Sequence, residues 1–164
     1  MTEKNEVQAL QGDVLTGKHE LSEELSESNV QADLLNTVPD SPLAKVQVFN
    51  ALQNPTDKLS NKINQTINLV DVVGQYVEIE DDATGTKSMQ PRLVLITDNG
   101  ESYDCVSQGV MNSMKQIFAI FGQPHYETGL PLKVLQKQSS RNAAFKFISL
   151  EVDMEAYKQL HAND

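Results

Sequence analysis

The stretch RLVLITDNGESYDCVSQGVMNSMKQIFAIFG (92–122) holds the pattern that decides the fold. Two apolar-rich segments within it are joined by Asp98-Asn99-Gly100, and Asn and Gly tolerate the positive φ that a tight hairpin turn requires. Directly afterwards, residues 109–121 place apolar side chains at helical spacing, and Gly122 follows as a helix C-cap residue. The stretch therefore predicts a β-hairpin followed at once by one amphipathic helix.

Strand patterns flank this unit on both sides. Upstream, Ala44–Leu52 alternates apolar and polar side chains, which predicts a short strand, and Ile63–Glu80 is rich in β-branched residues, which predicts a long one. Gly74 interrupts the alternation in the long strand, so we expect a bulge or a barrel corner there. Downstream, Leu130–Gln136 and Ala143–Val152 predict a last pair of strands.

The order of these elements predicts the fold class. Several short strands with one helix inserted late are typical of a mostly β, OB-fold-like Greek-key barrel, and we expect this barrel over residues 44–153. Residues 1–43 are expected to form an acidic N-terminal extension that is disordered or partly helical, and residues 154–164 a short C-terminal tail. Such a barrel presents a curved sheet face and loops to single-stranded nucleic acid.

The charge of the chain is unevenly distributed. Residues 1–40 contain nine acidic and two basic side chains, which gives −7 of the total net charge of −10. The remaining 124 residues contain fourteen acidic and eleven basic side chains, a net charge of −3. This balance argues against a protein that coats duplex DNA by charge alone. It is compatible with a protein that stacks bases on aromatic rings and keeps its few cations on one face.

Enzyme, metal and cofactor chemistry have no matching pattern in the sequence. The histidines His19, His125 and His161 lack metal-ligand spacing with one another or with Cys105. A single cysteine cannot form an intrachain disulfide, which favours a reducing cytoplasm. The chain starts with a polar, acidic segment that resembles neither a signal peptide nor a membrane span. We therefore expect a non-enzymatic cytoplasmic protein with no cofactor, no metal and no membrane partner.

A surface that binds a single strand needs aromatic rings for the bases and cations for the phosphates. Tyr76 and Tyr103 are the best candidates for stacking, because a Tyr hydroxyl favours a half-exposed site; further aromatic candidates are Phe49, Tyr126 and Phe145. The candidate cations on the predicted strands and their turn are Arg92, Lys133, Lys137, Arg141 and Lys146. A competing interpretation is that the strand lysines protect sheet edges, which is their commonest structural use.

Four stretches combine into a recognisable pattern. They are VQVFNA (46–51), the turn and strand at 98–107, the helix with its Met and Phe stripe, and LKVLQKQSSRNAAFKFISLEV (132–152). Taken together, they resemble the single-stranded DNA-binding proteins of small podoviruses that replicate linear genomes by protein priming. The similarity runs from Lys45 to Val152 and does not include residues 1–40.

This resemblance implies a barrel that coats displaced single strands during phage DNA replication in the cytoplasm of the bacterial host. Binding would be independent of sequence, would protect the strands, remove secondary structure and assist a phage DNA polymerase, and would need no cofactor. Tyrosine contacts are typical of the family, which here implies Tyr76 and Tyr103. The leucines of the extension suggest self-association through it. The alternative is a protein-interaction barrel with an acidic docking tail.

Overall fold

The computed structural model describes residues 34–164, and Leu35–Asp164 form one compact unit. Of the acidic extension predicted for residues 1–43, residues 1–33 lie outside the described residues, and so do most of its leucines. The elements in chain order are β1 (Leu35–Asn36), α1 (Pro42–Gln53), β2 (Asp57–Lys58), a 3₁₀ helix (Leu59–Lys62), β3 (Thr66–Glu80), β4 (Lys87–Thr97), β5 (Ser102–Val106), α2 (Gln108–Phe121), β6 (Leu130–Gln138), β7 (Lys146–Val152) and α3 (Met154–Leu160).

The strands form one sheet in the order β2-β5-β4-β3-β6-β7, and β1 pairs with β3. The short β2–β5 pair is parallel, whereas the other pairs are antiparallel. Strand β3 pairs with β4 from Leu69 to Glu80 but with β6 only from Thr66 to Leu69, so the sheet turns around this long strand. The result is a curled half-barrel, which confirms the prediction of a mostly β, OB-like fold.

The inside of this half-barrel is filled by leucines and valines and closed by helix α2. Fully buried side chains of the sheet include Leu69, Leu95 and Leu132. Ser107 caps helix α2, since its Oγ accepts a hydrogen bond from the N–H of Val110 at 3.2 Å, and the helix buries Val110, Met114 and Ile117 against the sheet. The predicted amphipathic helix after the hairpin is therefore confirmed.

Helix α1 replaces the strand that the sequence predicts at Ala44–Leu52, so that prediction is wrong. Ser41 caps the helix by accepting a hydrogen bond from the N–H of Ala44 at 3.0 Å, and Pro42 occupies the first turn. Ala44, Val48 and Ala51 then form a buried stripe at helical spacing, on the side of β4 opposite the main core. The barrel therefore has a second helix that covers part of its outer face.

Gly74 is required for close packing rather than for a bulge. Its pairing with Leu93 is regular, and the register of β3 shifts instead between Leu69 and Asp71. A Cβ at Gly74 would lie 2.8 Å from Leu93 Cδ2 and 3.6 Å from Leu35 Cβ. The bulge predicted at Gly74 is therefore wrong in position, because the glycine makes room where β1 pairs with β3.

The outer edge of β7 is covered by α2. Ser113 Oγ accepts a hydrogen bond from the N–H of Leu150 at 3.2 Å, which satisfies a donor on that edge. Gly109 allows this approach, since a Cβ there would overlap the carbonyl oxygen of Ile148 and lie 3.0 Å from Phe147 Cδ2. The start of α2 is thus held directly against the last strand.

The short C-terminal tail contains helix α3 (Met154–Leu160). Asp153 caps the helix by accepting a hydrogen bond from the N–H of Ala156 at 3.1 Å, and Tyr157 packs partly buried against the core. No helix in residues 34–164 has the length and apolar character needed to cross a membrane.

One half-buried and one buried side chain, Cys105 and Tyr103, should make the stability depend on pH in alkaline solution. Burial raises the pKa of the Cys105 thiol from its ordinary value to about 12, and burial together with the hydrogen bond to Glu101 raises the pKa of Tyr103 to about 12. In the unfolded chain both groups lose their protons at lower pH, so the folded state binds more protons there. The contribution of these two groups to the free energy of unfolding should be fully present below about pH 9. It should be lost as the pH rises toward 12.

Urea unfolding at a series of alkaline pH values measures this effect. We expect Cys105→Ala and Tyr103→Phe, which each remove one titrating group, to show a shallower loss of unfolding free energy than the unchanged protein. Parallel curves for the unchanged protein and both variants would contradict the assignment.

Candidate nucleic-acid interface

Strands β6 and β7 with their turn form the most basic part of the chain. We call Leu130–Val152 the basic hairpin: it contains Lys133, Lys137, Arg141 and Lys146 but only one acidic residue, Glu151. All four cations are exposed, and none forms a salt bridge with another residue in the described part of the chain. The local net charge of this hairpin is therefore +3 in a protein of net charge −10, and positive charge is what a phosphate-binding surface needs.

A cleft of about 600 Å³ opens beside the basic hairpin, and we call it the hairpin cleft. Its lining comes from Gln136 and Phe145–Ile148 of the hairpin, Gln90 and Val106 of the sheet, and Ser107–Gly109 with Asn112 at the start of α2. Phe145 is 62% exposed, which is unusual for a Phe, so its ring is accessible from solvent. The lining of the cleft thus includes aromatic residues, amide residues and Lys146.

The position of this cleft agrees with the way OB-folds bind ligands. They contact oligonucleotides through barrel strands 2 and 3 and through the loops that join strands 1–2 and 4–5. In this sheet the corresponding strands are β4 and β5, and the loops are residues 81–86 and 139–145. Of the two loops, the second contributes Phe145 to the cleft, whereas residues 81–86 do not line it. Helix α1 covers one part of the outer face of β4, whereas Gln90 and Val106 remain on the wall of the cleft.

Three of the four cations lie toward the turn end of the basic hairpin. Lys137 pairs in register with Phe147, Arg141 lies in the turn, and Lys146 lines the cleft. Lys133 differs from them, because it pairs in register with Glu151 and helps to lower the pKa of Asp153, a shift that arises first from the hydrogen bond donated by Thr66. Its charge is therefore partly offset by neighbouring carboxylates.

Tyr76 lies near the base of an arm formed by the ends of β3 and β4. Its side chain is 56% exposed, and it pairs in register with Pro91, next to Gln90 of the cleft. Beyond it, residues 78–87 carry four acidic side chains and Lys87, and we call them the acidic arm. A base could stack on Tyr76, but the acidic arm would repel its phosphate.

Tyr103 and Arg92 both make contacts within the fold. Tyr103 is 4% exposed, its hydroxyl donates a hydrogen bond to Glu101, and Lys62 Nζ lies 5.3 Å from its ring centroid. The half-exposed position expected for this ring is therefore wrong, because its alternation on β5 directs it into the barrel. Arg92 donates to the carbonyl oxygen of Leu52 at 3.0 Å, and its Nη2 lies 3.4 Å from Asp104 Oδ2.

The sequence did not indicate the amide groups of the cleft. Gln90, Gln108, Asn112 and Gln136 come from β4, α2 and β6, and each is polar and unremarkable within its own segment. The spacing of Gln108 and Asn112 on α2 is the only local signal, since residues four apart share a helix face. Among the described residues, no group of three His, Cys, Asp or Glu side chains could hold a metal ion.

Comparison with known proteins agrees with this geometry. The family described as phage single-stranded DNA-binding protein matches residues 27–153, which is well over half of the chain and includes the basic hairpin and the cleft. No curated protein and no solved structure gave a significant match. The match begins at residue 27, so the similarity extends further toward the N-terminus than the start at Lys45 expected from the sequence. The resemblance itself is confirmed, and the chain belongs to the phage single-stranded DNA-binding protein family.

Proposed function

We propose that the protein coats displaced single strands during phage DNA replication in the host cytoplasm, without regard to sequence, and removes their secondary structure. The observation that carries the proposal is the basic hairpin beside an open, aromatic cleft, in a chain that is otherwise acidic. Long-range attraction directs a polyanion to that one surface, because the rest of the protein repels it.

The arrangement of charge favours one orientation of the strand. Lys137, Arg141 and Lys146 attract phosphates on the side of the basic hairpin, and the acidic arm disfavours them on the other side. The backbone would follow the cations, while the bases turn toward Phe145 in the cleft and Tyr76 beyond it. Tyr103 and Arg92 are not part of this proposed contact set, and Lys133 lies at its margin.

Removal of secondary structure follows from the same contacts. A base that stacks on Phe145 or Tyr76 is not available for pairing within a DNA hairpin. Binding to the open strand only therefore shifts the equilibrium of the DNA toward that form by mass action. No chemical step and no cofactor is needed for this activity.

The proposed partners beyond DNA rest on the sequence. We propose self-association through residues 1–43 and a functional partnership with the phage DNA polymerase. One structural observation supports a protein-interaction role as the second candidate function: α1 exposes Leu43, Val46 and Phe49, which are 78%, 55% and 62% accessible. This apolar ridge lies on a different element from the basic hairpin, so both functions can coexist.

Titration with oligo-dT tests the proposed function directly. The chain has four Tyr and no Trp, so stacking of bases should quench tyrosine emission. Saturable quenching, with a gel shift that weakens as salt rises, is the expected result. A flat titration at low salt together with an unshifted band would exclude single-strand binding and leave the protein-interaction role.

Removal of single aromatic rings should weaken binding without unfolding the protein. Phe145→Ala and Tyr76→Ala should each reduce the binding free energy for oligo-dT by about 1–3 kcal/mol, which is the usual contribution of one stacked base. Phe49→Ala is a matched control, because Phe49 and Phe145 are both 62% exposed. If Phe145→Ala and Tyr76→Ala both bind oligo-dT as tightly as the Phe49→Ala control and the unchanged protein, Phe145 and Tyr76 are not part of the interface.

A further inference from the structure

We propose that the hairpin cleft takes up one unpaired nucleobase of the bound strand and that its amide groups hydrogen-bond the edge of that base. This inference rests on the proposed function and adds a base-recognition site to it. The observations that carry it are the lining, the volume and the unused hydrogen-bonding groups of the cleft.

The cleft has the two surfaces that a nucleobase needs. The rings of Phe145 and Phe147 supply apolar walls for the faces of the base. Four amide side chains, from Gln90, Gln108, Asn112 and Gln136, lie around the same space. A volume of about 600 Å³ lies within the range of small-molecule sites, so a base and some of its water fit inside.

Amide groups match a base edge better than they match a phosphate. Each amide carries both donors and an acceptor, and the edge of a base also combines donors and acceptors. A phosphate offers acceptors only, and the exposed cations of the basic hairpin already serve that purpose. Four amide residues that line one cleft beside these cations therefore favour recognition of the base itself.

Hydrogen bonds within the cleft leave suitable groups free. Gln108 Nε2 donates a hydrogen bond to Asn112 Oδ1 at 3.0 Å. This bond leaves the carbonyl oxygen of Gln108 and the N–H groups of Asn112 free, and it fixes the relative orientation of the two side chains. Gln90 Nε2 donates to Ser88 Oγ at 3.1 Å, which leaves the Gln90 acceptor. The side chain of Gln136 forms no hydrogen bond with another residue of the range 34–164.

Recognition of a base edge gives the site two properties. A paired base has its Watson–Crick edge occupied, so the cleft selects unpaired strands by hydrogen bonding as well as by stacking. The four bases differ in donors and acceptors, so homopolymers of equal length should bind with unequal affinity. Binding would remain broad in sequence, because the other contacts are stacking and phosphate contacts.

Two apolar substitutions test the proposal. Asn112→Leu and Gln136→Leu keep the approximate size of the side chains and remove their hydrogen-bonding groups. Affinities are measured for oligo-dT, oligo-dA, oligo-dC and an abasic oligomer of the same length. Gln116→Leu is the control, because Gln116 is also exposed on α2 but does not line the cleft.

We expect both variants to bind the base-containing oligomers about 3- to 10-fold more weakly, the range of one lost hydrogen bond, and to narrow the differences among homopolymers. Binding of the abasic oligomer should not change. Unchanged homopolymer affinities, or an equal loss on the abasic oligomer, would overturn the base site while single-strand binding stands. Failure of the unchanged protein to bind any oligomer would overturn the proposed function itself.

Discussion

Simultaneous reversal of charge at Lys137 and Arg141, to glutamate, should weaken single-stranded DNA binding by on the order of 25-fold or more at 0.1 M salt. Each phosphate contact on a single strand contributes about 0.7 to the slope of log affinity against log salt, which corresponds to roughly a fivefold effect at this concentration. Loss of two contacts multiplies two such effects, and the new carboxylates add repulsion. The slope of the salt dependence should become shallower by about 1.4.

A control with the same change in net charge separates local contact from general repulsion. Lys45→Glu with Lys158→Glu alters two exposed lysines on α1 and α3, outside the basic hairpin. This pair should leave the salt slope nearly unchanged, because screening limits charge effects to about 10 Å at 0.1 M salt. Equal losses for the two double variants would show that the hairpin cations act only through the total charge.

The β-hairpins and helix α2 could be predicted from the sequence because local chemistry determines them. Gly100 adopts φ 81° in the turn after Asp98-Asn99, as a glycine there predicts, and Gly122 with φ 82° ends α2. Helix α1 was missed because Val46 and Val48 alternate with polar residues in the manner of a strand. The Ser41-Pro42 cap and the spacing of Ala44, Val48 and Ala51 decide in favour of the helix only when the sheet that buries them is present.

The cationic part of the site was predictable because its residues are close in sequence. Lys137, Arg141 and Lys146 occupy one hairpin, so the strand pattern alone places them together. The aromatic part was harder, since Tyr76 and Tyr103 look alike in the sequence but are 56% and 4% exposed. The difference arises from the barrel: β5 turns Tyr103 inward, while β3 extends beyond the core at Tyr76.

The amide groups of the cleft could not be predicted by any local pattern. They meet only because α2 lies against β7, and that approach depends on the absence of a side chain at Gly109. Gln108 and Asn112, on either side of this glycine, are thereby brought to the wall that carries Phe147. A single glycine, whose role is invisible in the sequence, therefore sets the shape of the candidate site.

Substitution of Gly109 by alanine should accordingly lower both stability and binding. The new Cβ would overlap the carbonyl oxygen of Ile148, a backbone atom that cannot rotate away, and would press on Phe147. Overpacking of this kind costs typically about 1–3 kcal/mol. In a helix, alanine is more favourable than glycine by about 1 kcal/mol, and this gain offsets part of the overpacking cost. The net loss of unfolding free energy should therefore be about 0–2 kcal/mol.

Urea unfolding and oligo-dT titration are applied to both Gly109→Ala and Gln108→Ala. Gly109→Ala changes the packing of α2, whereas Gln108→Ala removes an amide of the cleft. Gln108→Ala is the control in the same turn: it is exposed, so its stability should stay within about 0.5 kcal/mol of the unchanged protein. Gly109→Ala should be less stable than this control and should bind oligo-dT more weakly, because α2 moves away from β7 and widens the cleft. A Gly109→Ala protein that is more stable than the unchanged one and binds equally well would mean that helix propensity outweighs the contact, and that the position of α2 does not set the cleft.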